Sequence, residues 1–161
     1  MRDELEQVIG ELLVQKGGSL TTAESCTGGL LAHRITNVPG SSRYFLCGWV
    51  TYSNEAKMAE LSVPADMLAS HGAVSAPVAE AMAVGARLAA NSTYALSTTG
   101  IAGPGGGTPD KPVGLVYIGL AGPRGLVRVA KHHFHVDRLD FKHRTTCAAL
   151  ELLRSCLMGF Q

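Results

Sequence analysis

Apolar residues recur three and four positions apart over residues 3–15, at Leu5, Val8, Ile9, Leu12 and Leu13, the spacing of one helical face. Gly17-Gly18 ends that helix, because glycine leaves helical geometry easily. Residues 19–24 read as a short strand. Residues 27–37 read as a helix that starts directly after Ser25-Cys26, and Pro39-Gly40-Ser41-Ser42 as a loop. The aromatic and β-branched run over residues 44–52 predicts a second strand. Asn54 is the expected cap of a helix running through Leu61. Pro64 opens another short helical piece, and residues 77–91 form an alanine-rich helix.

A third strand over residues 93–99 leads into a glycine-rich loop over residues 100–112. Residues 113–121 and 126–134 read as two strands joined at Gly122-Pro123-Arg124-Gly125, a hairpin. The closing helix spans residues 137–157, with Leu139, Ala148 and Leu152 on its expected inner side. Strands separated by helices and closed by a hairpin predict an α/β layered sandwich. Its sheet is mixed and mainly parallel, flanked by helices, with a C-terminal hairpin plus helix. A length of 161 residues fits one domain, 1–161, with a core of its own.

Composition narrows the function classes. Hydrophobic residues make up 46% and charged residues 17%, so the chain is not of disordered type. A formal net charge of +1 gives no general electrostatic grip on nucleic acid. Any anion site must be local, made of backbone N–H groups and one or two arginines. The apolar stretches are too short to cross a bilayer, so no membrane partner is expected. Met1-Arg2-Asp3-Glu4-Leu5-Glu6 carries acids where a signal peptide needs a basic start, so a cytoplasmic location is expected. Cys26, Cys47, Cys147 and Cys156 form no C-x-x-C pair and read as reduced thiols. His133 and His135 share a strand face, but no third ligand stands at helpful spacing, so no metal is expected. Trp49 reads as core.

Three clusters fall where strands end, the edge at which open α/β sheets bind ligands. The first is Ala23-Glu24-Ser25-Cys26-Thr27-Gly28-Gly29. N–H groups at a helix start favour an oxyanion or phosphate, and the glycines admit a ligand close to the backbone. The same string also fits a serine N-cap with tight packing. The second is Thr51-Tyr52-Ser53-Asn54-Glu55-Ala56-Lys57. Lys57 in a first helical turn meets an unfavourable field that lowers its pKa, which suits a general base; a surface lysine is the alternative. The third is the loop Gly100-Ile101-Ala102-Gly103-Pro104-Gly105-Gly106-Gly107-Thr108-Pro109, which matches neither the dinucleotide fingerprint nor the P-loop. It either lines a ligand or is solvated. Arg138 and Arg144, six apart on the last helix, are candidate phosphate clamps or plain helix charges.

Taken together these strings resemble the CinA C-terminal domain family, whose members include nicotinamide mononucleotide amidohydrolases. The resemblance rests on Thr22-Ala23-Glu24-Ser25-Cys26-Thr27-Gly28-Gly29, Pro39-Gly40-Ser41-Ser42, Val50-Thr51-Tyr52-Ser53-Asn54-Glu55-Ala56-Lys57, His71-Gly72-Ala73-Val74-Ser75, Thr99-Gly100-Ile101-Ala102-Gly103-Pro104-Gly105-Gly106, Lys111-Pro112-Val113-Gly114 and Asp137-Arg138. It covers nearly the whole chain and implies a stand-alone member without the family's molybdopterin-binding-like N-terminal domain. Thr99 stands where the pattern has serine, and His135-Val136 where a glycine is usual.

The resemblance implies Ser25 as nucleophile with Lys57 and Tyr52 beside it, no metal and no cofactor. The implied partner is a small-molecule nucleotide, contacted by Thr27, Gly28, Gly29, Ser41, Ser42, Asn54, Ala73, Gly100, Ala102, Gly103, Pro104 and Arg144. The expected reaction turns nicotinamide mononucleotide and water into nicotinic acid mononucleotide and ammonia. A Cys26-dependent amidase and a nucleotide-binding regulatory module without catalysis are the alternatives. A homo-oligomer is compatible with the small domain and its apolar helices.

Overall fold

The computed structural model describes residues 4–160. In chain order the elements are α1 (Glu4–Lys16), β1 (Leu20–Glu24), α2 (Leu30–Thr36), β2 (Phe45–Val50), α3 (Asn54–Leu61), α4 (Ala65–His71), α5 (Ala76–Ala90), β3 (Tyr94–Gly100), β4 (Leu115–Ala121), β5 (Val127–His133) and α6 (Arg138–Leu157). The predicted helix start at Asp3 lies outside the described residues.

The five strands form one sheet in the order β2-β1-β3-β4-β5. β1 runs parallel to both β2 and β3, and β4 is antiparallel to β3 and β5. Four strands therefore point the same way and only β4 opposes them, the mixed, mainly parallel sheet expected from the sequence. β1 is buried along its whole length, whereas the edge strand β2 alternates half-buried and exposed positions. A central strand covered on both faces must be apolar or hydrogen-bonded throughout, and an edge strand need not be.

Helices cover both faces. On one side α5 lies across the sheet, with α3 and α4 packed on it. Ala23, Leu61, Val63, Val78, Met82 and Ala95 form the core there. A side chain at Gly119 would strike the Ala79 carbonyl of α5, so glycine lets helix and sheet approach. On the other side α1, α2 and α6 bury Ile9, Leu13, Leu31, Phe141, Leu150 and Leu153 against Leu96, Val116 and Ile118. The carboxyl ends of β1, β2 and β3 thus open at one edge between the layers.

Three local expectations are corrected. In α1 the inner face carries Glu6, Ile9, Gly10 and Leu13, and Val8 points outward. In α6 Leu139 is 77% exposed; Phe141, Thr145, Ala149 and Leu153 face inward, and Leu139 lies about 200° of helical rotation from Phe141. The cap of α3 is Ser53, whose Oγ accepts from the Ala56 N–H at 3.0 Å, and Asn54 is the first helical residue.

Candidate active site

β1 ends at Glu24, and the Ser25 N–H extends its pairing with β3 by donating to the Thr98 carbonyl at 3.0 Å. The expected helix over residues 27–37 does not begin there. Gly28 (φ +60°) and Gly29 (φ +100°) adopt left-handed conformations, so the chain makes a turn first and α2 starts at Leu30. The N-terminal amides of α2 are occupied from within the protein. The buried Glu24 carboxylate accepts from the Leu31 N–H at 2.8 Å and the Ala32 N–H at 3.1 Å. The Thr27 hydroxyl donates to the same carboxylate at 2.6 Å. Its single proton is then used, so the Thr98 hydroxyl, 2.8 Å away, is the donor to Thr27. This buried chain pins the turn between two strands.

The helix start therefore is not the anion site that the sequence suggested. The available donors lie one turn earlier: the N–H groups of Cys26, Thr27 and Gly29 donate to no oxygen among the described residues. Thr27 is wholly buried and its hydroxyl is spent on Glu24, so it offers no side-chain contact to a ligand. Ser25 remains half-exposed and Gly28 exposed.

Lys57 comes to Ser25 from the neighbouring parallel strand. The Thr51 N–H donates to the Glu24 carbonyl at 2.9 Å, which continues the β1–β2 pairing past Val50. After Ser53, α3 turns the Lys57 side chain back under this loop. Lys57 is 1% exposed. Its Nζ lies 2.7 Å from the Thr51 carbonyl, 3.1 Å from Ser25 Oγ and 3.4 Å from the Tyr52 carbonyl. Burial disfavours the ammonium and holds its pKa below the usual lysine value. Burial, which the sequence does not reveal, is the leading cause.

The three neighbours decide what a neutral Lys57 can do. Two are carbonyl oxygens, which only accept. Ser25 alone offers a proton, so the amine lone pair turns to the Ser25 hydroxyl while its N–H bonds stay on the carbonyls. In its neutral form the amine has only Ser25 from which to accept a proton. The adjacent Cys26 is not a comparable nucleophile: it is buried, and burial pushes its thiol up to about 12.

Tyr52 takes a different place from the one implied. Its carbonyl faces Lys57, but its ring is 61% exposed and its hydroxyl accepts from Arg138 Nη2 at 3.1 Å. Arg138 Nη1 donates to the Gly103 carbonyl at 2.8 Å. The first residue of α6 thus ties the glycine-rich loop to the Tyr52 loop across the mouth of the site. Asn54 is exposed beside Tyr52, and Pro104 is exposed on the glycine-rich loop.

Gly100, Ala102 and Gly103 shape that loop by packing. A Cβ at Gly100 would meet the Leu115 carbonyl and one at Gly103 would meet Val113, while Ala102 joins the core. The Ala73 carbonyl accepts from Thr99 Oγ1 at 2.8 Å, so Thr99 supplies the hydroxyl that its position calls for.

Other implied contacts fall elsewhere. Ser41 and Ser42 form a 3₁₀ turn ahead of β2, at its amino end, about 15 Å of strand away from the Ser25 edge. Arg144 pairs with Asp140 at 3.1 Å and, about 240° around α6 from Arg138, faces away from the mouth. Lys142, absent from the sequence reading, lies on the Arg138 face, and its Nζ is 3.5 Å from where a Gly28 Cβ would be. Its i, i+4 spacing from Arg138 was the available signal. A hollow of about 660 Å³ between α1, α2 and the 3₁₀ turn is lined by neither Ser25 nor Lys57. His133 and His135 adjoin, with ring centroids 4.0 Å apart. Among the described residues no helix is long and apolar enough to cross a membrane.

Fold and site together define an α/β three-layer domain with a serine and a buried lysine joined at the carboxyl ends of parallel strands. The profile of the CinA C-terminal domain matches residues 2–157. A CinA-like protein of Citrifermentans bemidjiense is 56% identical over 157 residues, covering 98% of this chain and 38% of that protein. The chain thus spans less than half the length of the curated relatives it matches. The crystal structure of the competence/damage inducible protein CihA from Agrobacterium tumefaciens superposes with a TM-score of 0.94 at 39% identity, covering 98% of this chain and 96% of that one. The competence damage-inducible protein A (ComA) from Klebsiella pneumoniae gives 0.94 at 34% identity, with 99% of each chain covered. The chain belongs to the CinA C-terminal domain family.

Proposed function

We propose that the chain is a serine amidohydrolase that converts nicotinamide mononucleotide and water into nicotinic acid mononucleotide and ammonia. The single observation that carries this reading is the 3.1 Å contact between a buried Lys57 amine and Ser25 Oγ. Neutral Lys57 takes the Ser25 proton as Oγ attacks the carboxamide carbon. The oxyanion forms beside the uncommitted N–H group of Cys26, a stabilisation commonly worth about 3 kcal/mol. The Lys57 ammonium returns the proton to the departing nitrogen, and ammonia leaves. Water, activated by the same amine, then releases the acid from Ser25. Arg138, anchored on Gly103 and Tyr52, places positive charge at the rim, where the nucleotide's anionic part would lie.

The test is incubation of purified chain with nicotinamide mononucleotide, the product identified by mass. Gain of about one dalton with release of one ammonia per molecule supports the reading. An unchanged mononucleotide, or cleavage to free nicotinamide, removes it.

A further inference from the structure

The hollow of about 660 Å³ between α1, α2 and the 3₁₀ turn stands apart from the Ser25 edge and is of the size that holds a small organic molecule. Its inner wall is polar, buried and only partly satisfied. Glu6, Arg34 and Tyr44 line it, and each is less than one-tenth exposed. Glu6 Oε1 accepts from Arg34 Nε, and Arg34 Nη1 donates to Thr146 Oγ1 at 2.8 Å and to Cys147 Sγ at 3.1 Å. Arg34 Nη2 is left without an acceptor among the described residues. Glu6 Oε2 and the Tyr44 hydroxyl have no hydrogen-bond partner there either. Burial raises the pKa of the Tyr44 phenol, so it keeps its proton. Gly10 leaves room for it, since a Cβ at that position would lie 2.5 Å from the Tyr44 oxygen. Three uncommitted polar atoms on buried side chains around one hollow are unfavourable unless something polar completes them.

Three features limit what that is. Arg34 Nη2 only donates and Glu6 Oε2 only accepts, so the ligand needs an edge with an acceptor beside an N–H group. Glu6 and Glu11 balance Arg34 and Arg43 around the hollow, so no net charge holds a free ion there. Val14, Val38, Pro39 and the Tyr44 ring give apolar walls, which suit a flat ring system. We infer that this hollow is a second ligand site, for an uncharged amino-heterocycle of nucleoside size whose amino group and neighbouring ring nitrogen meet Glu6 and Arg34. The site stands apart from the proposed hydrolase, because neither Ser25 nor Lys57 lines it and binding alone reads it.

Adenosine, titrated into the purified chain and followed by NMR, tests the site. Saturable binding with a Kd below about 1 mM is expected. Purine riboside keeps the ring nitrogens but lacks the amino group, and it binds at least about fivefold more weakly. Val14 is exposed on α1, and Val14→Trp carries a larger ring into the hollow and weakens adenosine at least about tenfold. Ser25→Ala binds adenosine as the wild type does. No saturable binding, equal binding of purine riboside, or binding indifferent to Val14→Trp overturns the assignment, as does binding lost in Ser25→Ala. Thermal melts check that Val14→Trp is folded. Should it not be, the backbone amide shifts of the wild type decide: changes at α1, α2 and the 3₁₀ turn support the site, and changes centred on residues 25–29 overturn it. A chain that releases no ammonia from nicotinamide mononucleotide yet binds adenosine in this way removes the hydrolase and keeps the second site.

Discussion

Lys57 Nζ sits 3.1 Å from Ser25 Oγ, yet the two residues approach from different strands and neither would hold the other in place alone. The Thr51 carbonyl, 2.7 Å from Nζ, fixes the amine, and the bond from Ser25 N–H to the Thr98 carbonyl fixes the serine. The Ser25 bond extends the sheet directly, and the Thr51 backbone that receives Lys57 is itself held to it by the bond from Thr51 N–H to the Glu24 carbonyl. The pair is therefore as rigid as the sheet edge that carries it.

The pH profile follows from the buried amine. Only neutral Lys57 can accept the Ser25 proton, and burial lowers its pKa. Deamidation measured as kcat/KM rises with pH through that lowered value and levels off before the range of an ordinary lysine. A rise that continues up to an ordinary lysine value would contradict the assignment of Lys57 as base.

Stability and activity oppose each other at this residue. Lys57→Met lowers kcat at least about a thousandfold and leaves the melting temperature equal to or above that of the wild type, since a buried cation is replaced by an apolar chain of similar length. Between the lowered folded-state value and the ordinary unfolded one, the unfolded wild type binds a proton that the folded form does not. Wild-type stability therefore rises with pH in that window, and the advantage of the Met variant shrinks. Denaturant melts across the neutral to alkaline range check the sign: an advantage growing with pH refutes it.

Glu24 is the hidden support of the turn. Glu24→Ala strands the Leu31 and Ala32 N–H groups and the Thr27 hydroxyl, and costs about 3 kcal/mol in urea unfolding. Glu24→Gln keeps an acceptor and costs less. Equal, small losses for both would mean that water replaces the carboxylate freely.

Much of the fold was legible in the sequence because periodicity reports burial directly. The strands at Leu20–Glu24 and Tyr94–Gly100 and the alanine-rich helix Ala76–Ala90 follow their apolar patterns. Ser25 was legible because it stands just past a strand end, whereas its pairing with Lys57, the fourth residue of α3, came from the family resemblance. What was not legible depends on rotation and register. Leu139 is apolar but lies on the wrong side of α6, and Ser41 and Ser42 sit at the opposite end of a parallel strand. The capping role of Glu24 arises only because the turn folds the helix start back over its side chain. Lys142 reaches Gly28 across more than a hundred residues, a proximity no local string encodes.

Arg138 and Arg144 test that lesson. Arg138→Ala unties Gly103 from Tyr52 and raises KM for the mononucleotide roughly tenfold or more. Arg144→Ala removes an exposed pair with Asp140 and changes KM less than about twofold. The opposite ranking in steady-state kinetics would show that the wrong arginine has been placed at the mouth.

The central claim is that Ser25, activated by Lys57, is the nucleophile. Ammonia release from nicotinamide mononucleotide, compared among the wild type, Ser25→Ala and Cys26→Ala, tests it most directly. The account predicts release that is lost in Ser25→Ala and kept within about threefold in Cys26→Ala, whose thiol is buried and protonated. Undiminished release by Ser25→Ala, or loss confined to Cys26→Ala, would contradict it.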